Sequence, residues 1–155
     1  EEVLTGEIGE APAALRARAI ELICALGRTP VEDTAAGLSA EELAGCISRT
    51  LALPEIVALR PALLSEFPVY AIRTAKGEEI AIAGIADALT VSPEGRPVVV
   101  VDWKSDVSPD PETLKHYRAQ VRGYLDMTDA ERGLIVLMTT GAVIAVSPSP
   151  LTMAA

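Results

Sequence analysis

Two carboxylates and an ammonium stand at a spacing suited to holding a divalent cation and acting on a phosphate. Asp102 and Lys104 close the run Pro97-Val98-Val99-Val100-Val101-Asp102-Trp103-Lys104-Ser105-Asp106. In an extended chain residues two apart share a face, so this acid and base lie side by side while Trp103 turns to the other face. Asp87 lies fifteen residues upstream, in Gly84-Ile85-Ala86-Asp87, where an antiparallel neighbour would carry it beside Asp102. Two carboxylates held close repel unless a cation sits between them, and oxygen ligands of this kind suit Mg²⁺ or Mn²⁺. Such an ion polarises a phosphoryl oxygen and lowers the pKa of a bound water. Lys104 would orient that water or stabilise the charge building on the phosphate. Glu66, in the preceding extended segment, could add a carboxylate to the metal or to its waters.

Each of these residues also has a plainer reading. An acid and a lysine two apart on a strand are ordinarily a surface ion pair worth under about 1 kcal/mol, and Glu66 before Phe67-Pro68 could be a solvated strand residue. Trp103 reads as a core or interface side chain, since no other aromatic accompanies it. Asp106 reads as the cap of the loop after the strand, and His116 as a surface residue. Lys115, Arg118 and Arg122 align on a helix face away from the acids and read as a solvated face. Tyr117 and Tyr124 read as core, with hydroxyls that could reach the rim.

The elements that must position these groups are well punctuated. Four consecutive valines bounded by Pro97 and by charge predict a strand buried on both faces. Before it, residues 64–73 and Glu79 to Val91 read as two more strands, turned at Lys76-Gly77-Glu78 and at Ser92-Pro93-Glu94-Gly95, which makes an antiparallel meander. After it, Asp110 as N-cap, Pro111 in the first turn and Glu112 predict a helix carrying Leu114, Tyr117, Val121, Tyr124 and Leu125 on one stripe, with Gln120 at its edge. Gly133 to Thr139 and Ala142 to Val146, turned at Thr140-Gly141, predict the last strands, and a frayed tail follows Pro148. Upstream, residues 11–27 predict a helix opened by Pro12 and ended by Gly27. Residues 39–52 predict a second, capped by Ser39 and Glu42 and carrying Leu43, Ile47 and Leu51 on one stripe. Pro54 to Leu59 predict a third, stopped by Pro61.

Composition narrows the field. At 155 residues the chain reads as a single domain over 1–155, divided into a helical N-terminal segment (1–62), a sheet core (63–147) and a tail (148–155). Half of it is apolar and only five residues are aromatic, so the core is Val, Ile, Leu and Ala. No apolar run approaches bilayer length, and the opening residues lack the pattern of a signal peptide. The expectation is a cytoplasmic protein without membrane contact, and a piece of a longer chain. Cys24 and Cys46 read as buried free thiols rather than a disulfide. A net charge of −9 opposes a nucleic-acid partner unless a divalent metal neutralises some of the acid and a neighbouring domain grips the nucleic acid. A small-molecule enzyme would need a Gly-rich phosphate loop or a nucleophile with its base, and the sequence offers neither.

Glu66, Asp87 in Gly84-Ile85-Ala86-Asp87, Asp102-Trp103-Lys104-Ser105-Asp106, then Tyr117-Arg118-Ala119-Gln120 and Tyr124 resemble, in order and spacing, the nuclease domain of the PD-(D/E)XK superfamily. Within it the chain looks most like the RecB/AddA type at the C-terminus of UvrD-like helicase–nucleases, over about Leu51 to Val146. An isolated Asp-x-Lys is common, whereas an upstream Gly-x-x-Asp strand and a downstream Tyr-x-x-Gln helix rarely accompany it. The resemblance implies an α/β fold of the restriction-endonuclease-like kind, with a central mixed sheet of about five strands flanked by helices. It implies Asp87 and Asp102 as ligands of Mg²⁺ or Mn²⁺, the Trp103 carbonyl facing the metal, Lys104 as catalytic lysine, and Gln120, Tyr124 and Tyr117 as residues that shape the site and approach DNA. The implied activity is metal-dependent hydrolysis of DNA phosphodiesters by in-line attack of a metal-activated water, in double-strand-break repair, with helicase domains of the same or another chain as partners. One departure is plain. Nucleases of this type usually carry a metal-binding His on a helix before the strands, and the only histidine here is His116. Either that His precedes Glu1 in a longer chain or it is lost, and its loss would favour a catalytically inactive module that binds DNA or docks a helicase.

Overall fold

The computed structural model describes residues 1–75 and 78–149. Lys76 and Gly77 of the expected hairpin turn, and residues 150–155 of the expected tail, lie outside the described residues. The chain forms two compact units, Glu1–Arg60 and Pro61–Ala155.

The first unit is helical. Helix α1, Pro12–Ala25, opens on its proline and buries Leu15, Ala19 and Ile23, four residues apart on one stripe. Helix α2, Ala40–Leu51, is capped by the Ser39 hydroxyl, which accepts the Glu42 N–H at 3.4 Å. Its buried side is Ala40, Ala44 and Thr50, rotated from the expected stripe, and Leu43 is 40% exposed. The reason is close approach: Ala40 packs in one cluster with Ala19 and Ile23 of α1, and small side chains permit this where Leu43 would hold the helices apart. Helix α3, Pro54–Leu59, buries Ile56. The cysteines depart from expectation. Cys24 is exposed, because it follows Ile23 round the helix and leaves the buried stripe, while Cys46 is half-buried.

The second unit is a five-stranded mixed sheet in the order β1-β2-β3-β4-β5 with one long helix. Strands β1 (Leu63–Ala75), β2 (Glu78–Val91) and β3 (Pro97–Lys104) form the expected antiparallel meander, with Gly95 N–H donating to the Ser92 carbonyl in the second turn. Helix α4 (Pro111–Thr128) then crosses over, so that β4 (Arg132–Leu137) lies parallel to β3, and β5 (Ala142–Val146) closes the sheet antiparallel to β4. Asp110 Oδ1 accepts the N–H groups of Glu112 and Thr113 at 2.9 and 2.8 Å, the cap that its position predicts.

Val99, Val100 and Val101 are each 1% exposed or less, which makes β3 the strand buried on both faces. On one of those faces Val121 and Leu125 of α4 meet Leu89, Val100, Ile135, Leu137 and Val146. The helix comes close because Gly133 lies beneath it: a Cβ at Gly133 would stand 2.2 Å from Val121 Cγ1. Among the described residues no helix is long and apolar enough to cross a membrane.

Candidate active site

The register of the sheet brings the predicted acids into one row. Pairing of Ala88 with Val101 carries Asp87 opposite Asp102 one step further on, and pairing of Ser65 with Ala88 and Phe67 with Ala86 sets Glu66 opposite Asp87. At this row the regular ladder breaks. Glu66 has φ 48°, a left-handed conformation costly for a residue with a side chain. Within β2 both Ala86 and Leu89 join the same core cluster although strict alternation would send them to opposite faces. The Asp87 side chain steps in where backbone pairing stops, its Oδ2 accepting the Trp103 N–H at 2.8 Å. This fastens β2 to the end of β3.

Asp102 is 0% exposed, because the strand that carries it is covered on both faces. Burial pushes its carboxyl above the usual range, the hydrogen bond and charge of Lys104 pull it back, and the charge of Asp87 pushes it up again. Lys104 Nζ lies 2.9 Å from both carboxylate oxygens. Its hydrogen bond is directed at Oδ1, and Oδ2, sealed from solvent, meets the same ammonium as an ion pair. Both oxygens of this buried carboxylate therefore share one ammonium as their counter-charge.

Lys104 is held from the α4 side as well. Gln120 Oε1 accepts from Nζ at 3.2 Å, Gln120 Nε2 donates to Tyr124 Oη at 3.3 Å, and the ammonium stands 4.9 Å from the centroid of the Tyr117 ring. Residues 117, 120 and 124 share one face because they are three and four apart on a helix. Both tyrosine rings pack against the core cluster while their hydroxyls work at the rim. Gly84, the glycine of the Gly-x-x-Asp strand, makes room for this, since a Cβ there would come 3.1 Å from Tyr124 Cε1.

Asp87, Asp102, Lys104, Tyr117, Gln120 and Tyr124 therefore converge. Trp103 is half-buried and enters through its peptide N–H. Glu66 is exposed and shares the row without closing a cluster: among the described residues no three His, Cys, Asp or Glu side chains stand together to hold a metal. The donors available to a divalent ion are two carboxylates, with Asp87 Oδ2 already accepting the Trp103 N–H and both Asp102 oxygens facing Lys104, so a third protein ligand would have to be a main-chain oxygen. Lys115, His116, Arg118 and Arg122 are exposed, in keeping with a solvated face.

Asp106 is the residue that sequence reasoning missed. It does not serve merely as a loop cap, because its Oδ2 accepts the Tyr117 hydroxyl at 2.6 Å and raises the Tyr117 pKa through that bond. The available signal was topological: Asp106 just beyond the strand and Tyr117 in the second turn of the helix after it meet at one end of the crossover. The exit from β3 is also fixed, with Met138 N–H donating to the Lys104 carbonyl at 2.8 Å and the Thr139 hydroxyl to the Ser105 carbonyl at 2.7 Å.

No family model matches the chain, and no curated protein matches it. A solved structure described as "Crystal structure of SSO0001" is similar at 21% sequence identity with a TM-score of 0.49. The similarity covers 90% of this chain and 64% of that one, so the chain spans less than two thirds of that protein's length.

Proposed function

We propose that the chain is a metal-dependent deoxyribonuclease module of the PD-(D/E)XK type with a restriction-endonuclease-like fold, acting on DNA ends within a helicase–nuclease in double-strand-break repair. The observation that carries the reading is the fully buried Asp102 carboxylate, which feels the charge of Asp87 and is paired with Lys104 at 2.9 Å. Buried carboxylates whose protonation is shifted by desolvation and a charged neighbour gather at functional sites.

Asp87 and Asp102 would hold Mg²⁺ or Mn²⁺, with the Trp103 carbonyl as a main-chain donor and Glu66 acting through waters of the ion. When bound, the ion supplies Lewis acidity toward a phosphoryl oxygen and acidifies a water. Lys104 presents an ammonium where negative charge grows on the phosphate. Gln120 and Tyr124 orient the lysine from the helix, and Tyr117 walls the site beside it. DNA would approach along the α4 edge. With a net charge of −9, the electrostatic grip on DNA would fall to helicase domains of the same or another chain, in a cytoplasmic compartment.

Cleavage of linear single- and double-stranded DNA with Mg²⁺ or Mn²⁺ tests the reading. Asp102→Ala and Lys104→Ala should each lose about a hundredfold or more in rate, and equal cleavage by all three proteins would overturn it. A second reading, an inactive nuclease-fold module serving DNA binding or helicase docking, is favoured by the absence of a three-ligand cluster among the described residues and of any histidine in Glu1–Arg60. Calorimetry separates the two, since DNA binding without Mn²⁺ binding belongs to the second.

A further inference from the structure

A carboxylate with no solvent exposure must have a cation or a proton, and Asp102 has Lys104. An entering divalent ion must contend with that ammonium, because two cations on one small carboxylate repel each other strongly in a buried setting. Lys104 has somewhere to go. Its side chain is 16% exposed, its stem is flexible, and Nζ already touches two further groups that accept a cation, Gln120 Oε1 at 3.2 Å and the Tyr117 ring at 4.9 Å. Both are held in place. Gln120 is tied through Nε2 to Tyr124 Oη, and the Tyr117 ring through its hydroxyl to Asp106 Oδ2. A carboxylate on the phenolic hydroxyl also adds electron density to the ring face that meets the ammonium.

Resting on the metal-site reading above, we infer that Lys104 is the placeholder cation of this site and that Asp106, acting through Tyr117, is the positioning residue that receives it when a divalent ion takes the Asp102 carboxylate. Asp106 touches neither metal nor substrate. It sets how readily the lysine leaves, and so how tightly the ion binds.

Mn²⁺ titration calorimetry on the full chain tests this without any cleavage assay. Lys104→Met, which removes the competitor, should bind Mn²⁺ about tenfold more tightly than the native protein. Asp106→Asn and Tyr117→Phe should each bind about two- to fivefold more weakly, the range expected for a weakened cation–π contact. The decisive comparison is the pair of double variants: adding either change to Lys104→Met should leave its affinity unaltered, because the lysine they position is gone. Equal affinity of Asp106→Asn, Tyr117→Phe and native protein overturns the inference, and so does a weakening that persists in the Lys104→Met background, which would be general structural damage. Asp102→Asn reports on the underlying reading separately. If native protein fails to bind Mn²⁺, or Asp102→Asn binds it equally well, the metal site fails and takes the inference with it.

Discussion

Asp102 is held in a state that costs stability at neutral pH. Its carboxyl is raised above its ordinary value chiefly by burial, so between the two values the folded chain binds more protons than the unfolded chain. Stability from this group is therefore complete below the ordinary aspartate range and is lost as pH rises through the raised value. Asp102→Asn, which removes the buried charge, should raise the unfolding temperature at pH 7, and the gain should vanish below about pH 4. Thermal scans of both proteins across that range check this, and a variant less stable than native at pH 7 would contradict it. Lys104→Met acts in the opposite direction, because it strips the cation from a carboxylate with no exposure. It should cost about 1–3 kcal/mol at pH 7, read by urea unfolding. Mn²⁺ should restore some of that stability by mass action.

Helix α4 carries three of the groups that meet Lys104 or its partners, and its distance from the sheet is set by Gly133. An alanine there would drive its Cβ to 2.2 Å from Val121 Cγ1. Gly133→Ala should therefore destabilise by about 1–3 kcal/mol or more, and Val121→Ala in the same chain should recover some of the loss because the two share one contact. Gly84→Ala meets the Tyr124 ring edge at 3.1 Å, a softer obstacle, and should cost less stability while loosening the Gln120–Tyr124 contact. Asp110 supplies a different test. Its carboxyl is held below the usual range chiefly by the Thr113 N–H, with Glu112 adding a second bond. Its cap strength is present above the ordinary value and lost as pH falls through the depressed one. Asp110→Ala should lower the unfolding temperature at pH 7 and lose that difference in acid. Much at this scale was legible from sequence, because Pro12, Ser39, Asp110, Pro111 and the valine run act locally and their neighbours only confirm them. What escaped is what contact alone decides. Leu43 turned outward because helix pairing selected Ala40 and Ala44, Glu66 adopted φ 48° where the ladder breaks, and Asp106 found Tyr117 across a crossover.

On the molecular scale, charge and apolar surface pull against each other. The chain carries 22 acidic against 13 basic residues, a strong negative field at neutral pH that keeps copies apart. One face of the β1–β2 pair nevertheless lies open over part of its length. The register pairs Pro68 with Ile85, Tyr70 with Ala83 and Ile72 with Ala81. Directly opposed residues share a face, and all six are exposed, Tyr70 at 71% and Ile72 at 73%. The intervening Val69 turns inward and is buried, so the face is the outward half of a regular alternation that uses apolar residues on both sides. Near the isoelectric point that the composition gives, about 4.6, repulsion should no longer oppose contact between such faces. Light scattering should therefore show association rising steeply as pH approaches that value. Ile72→Glu should suppress it while changing unfolding free energy by no more than about 0.5 kcal/mol, as befits a side chain with little to lose on exposure. If Ile72→Glu instead associates as the native chain does, the acidic field alone governs solubility and the open face contributes nothing to it.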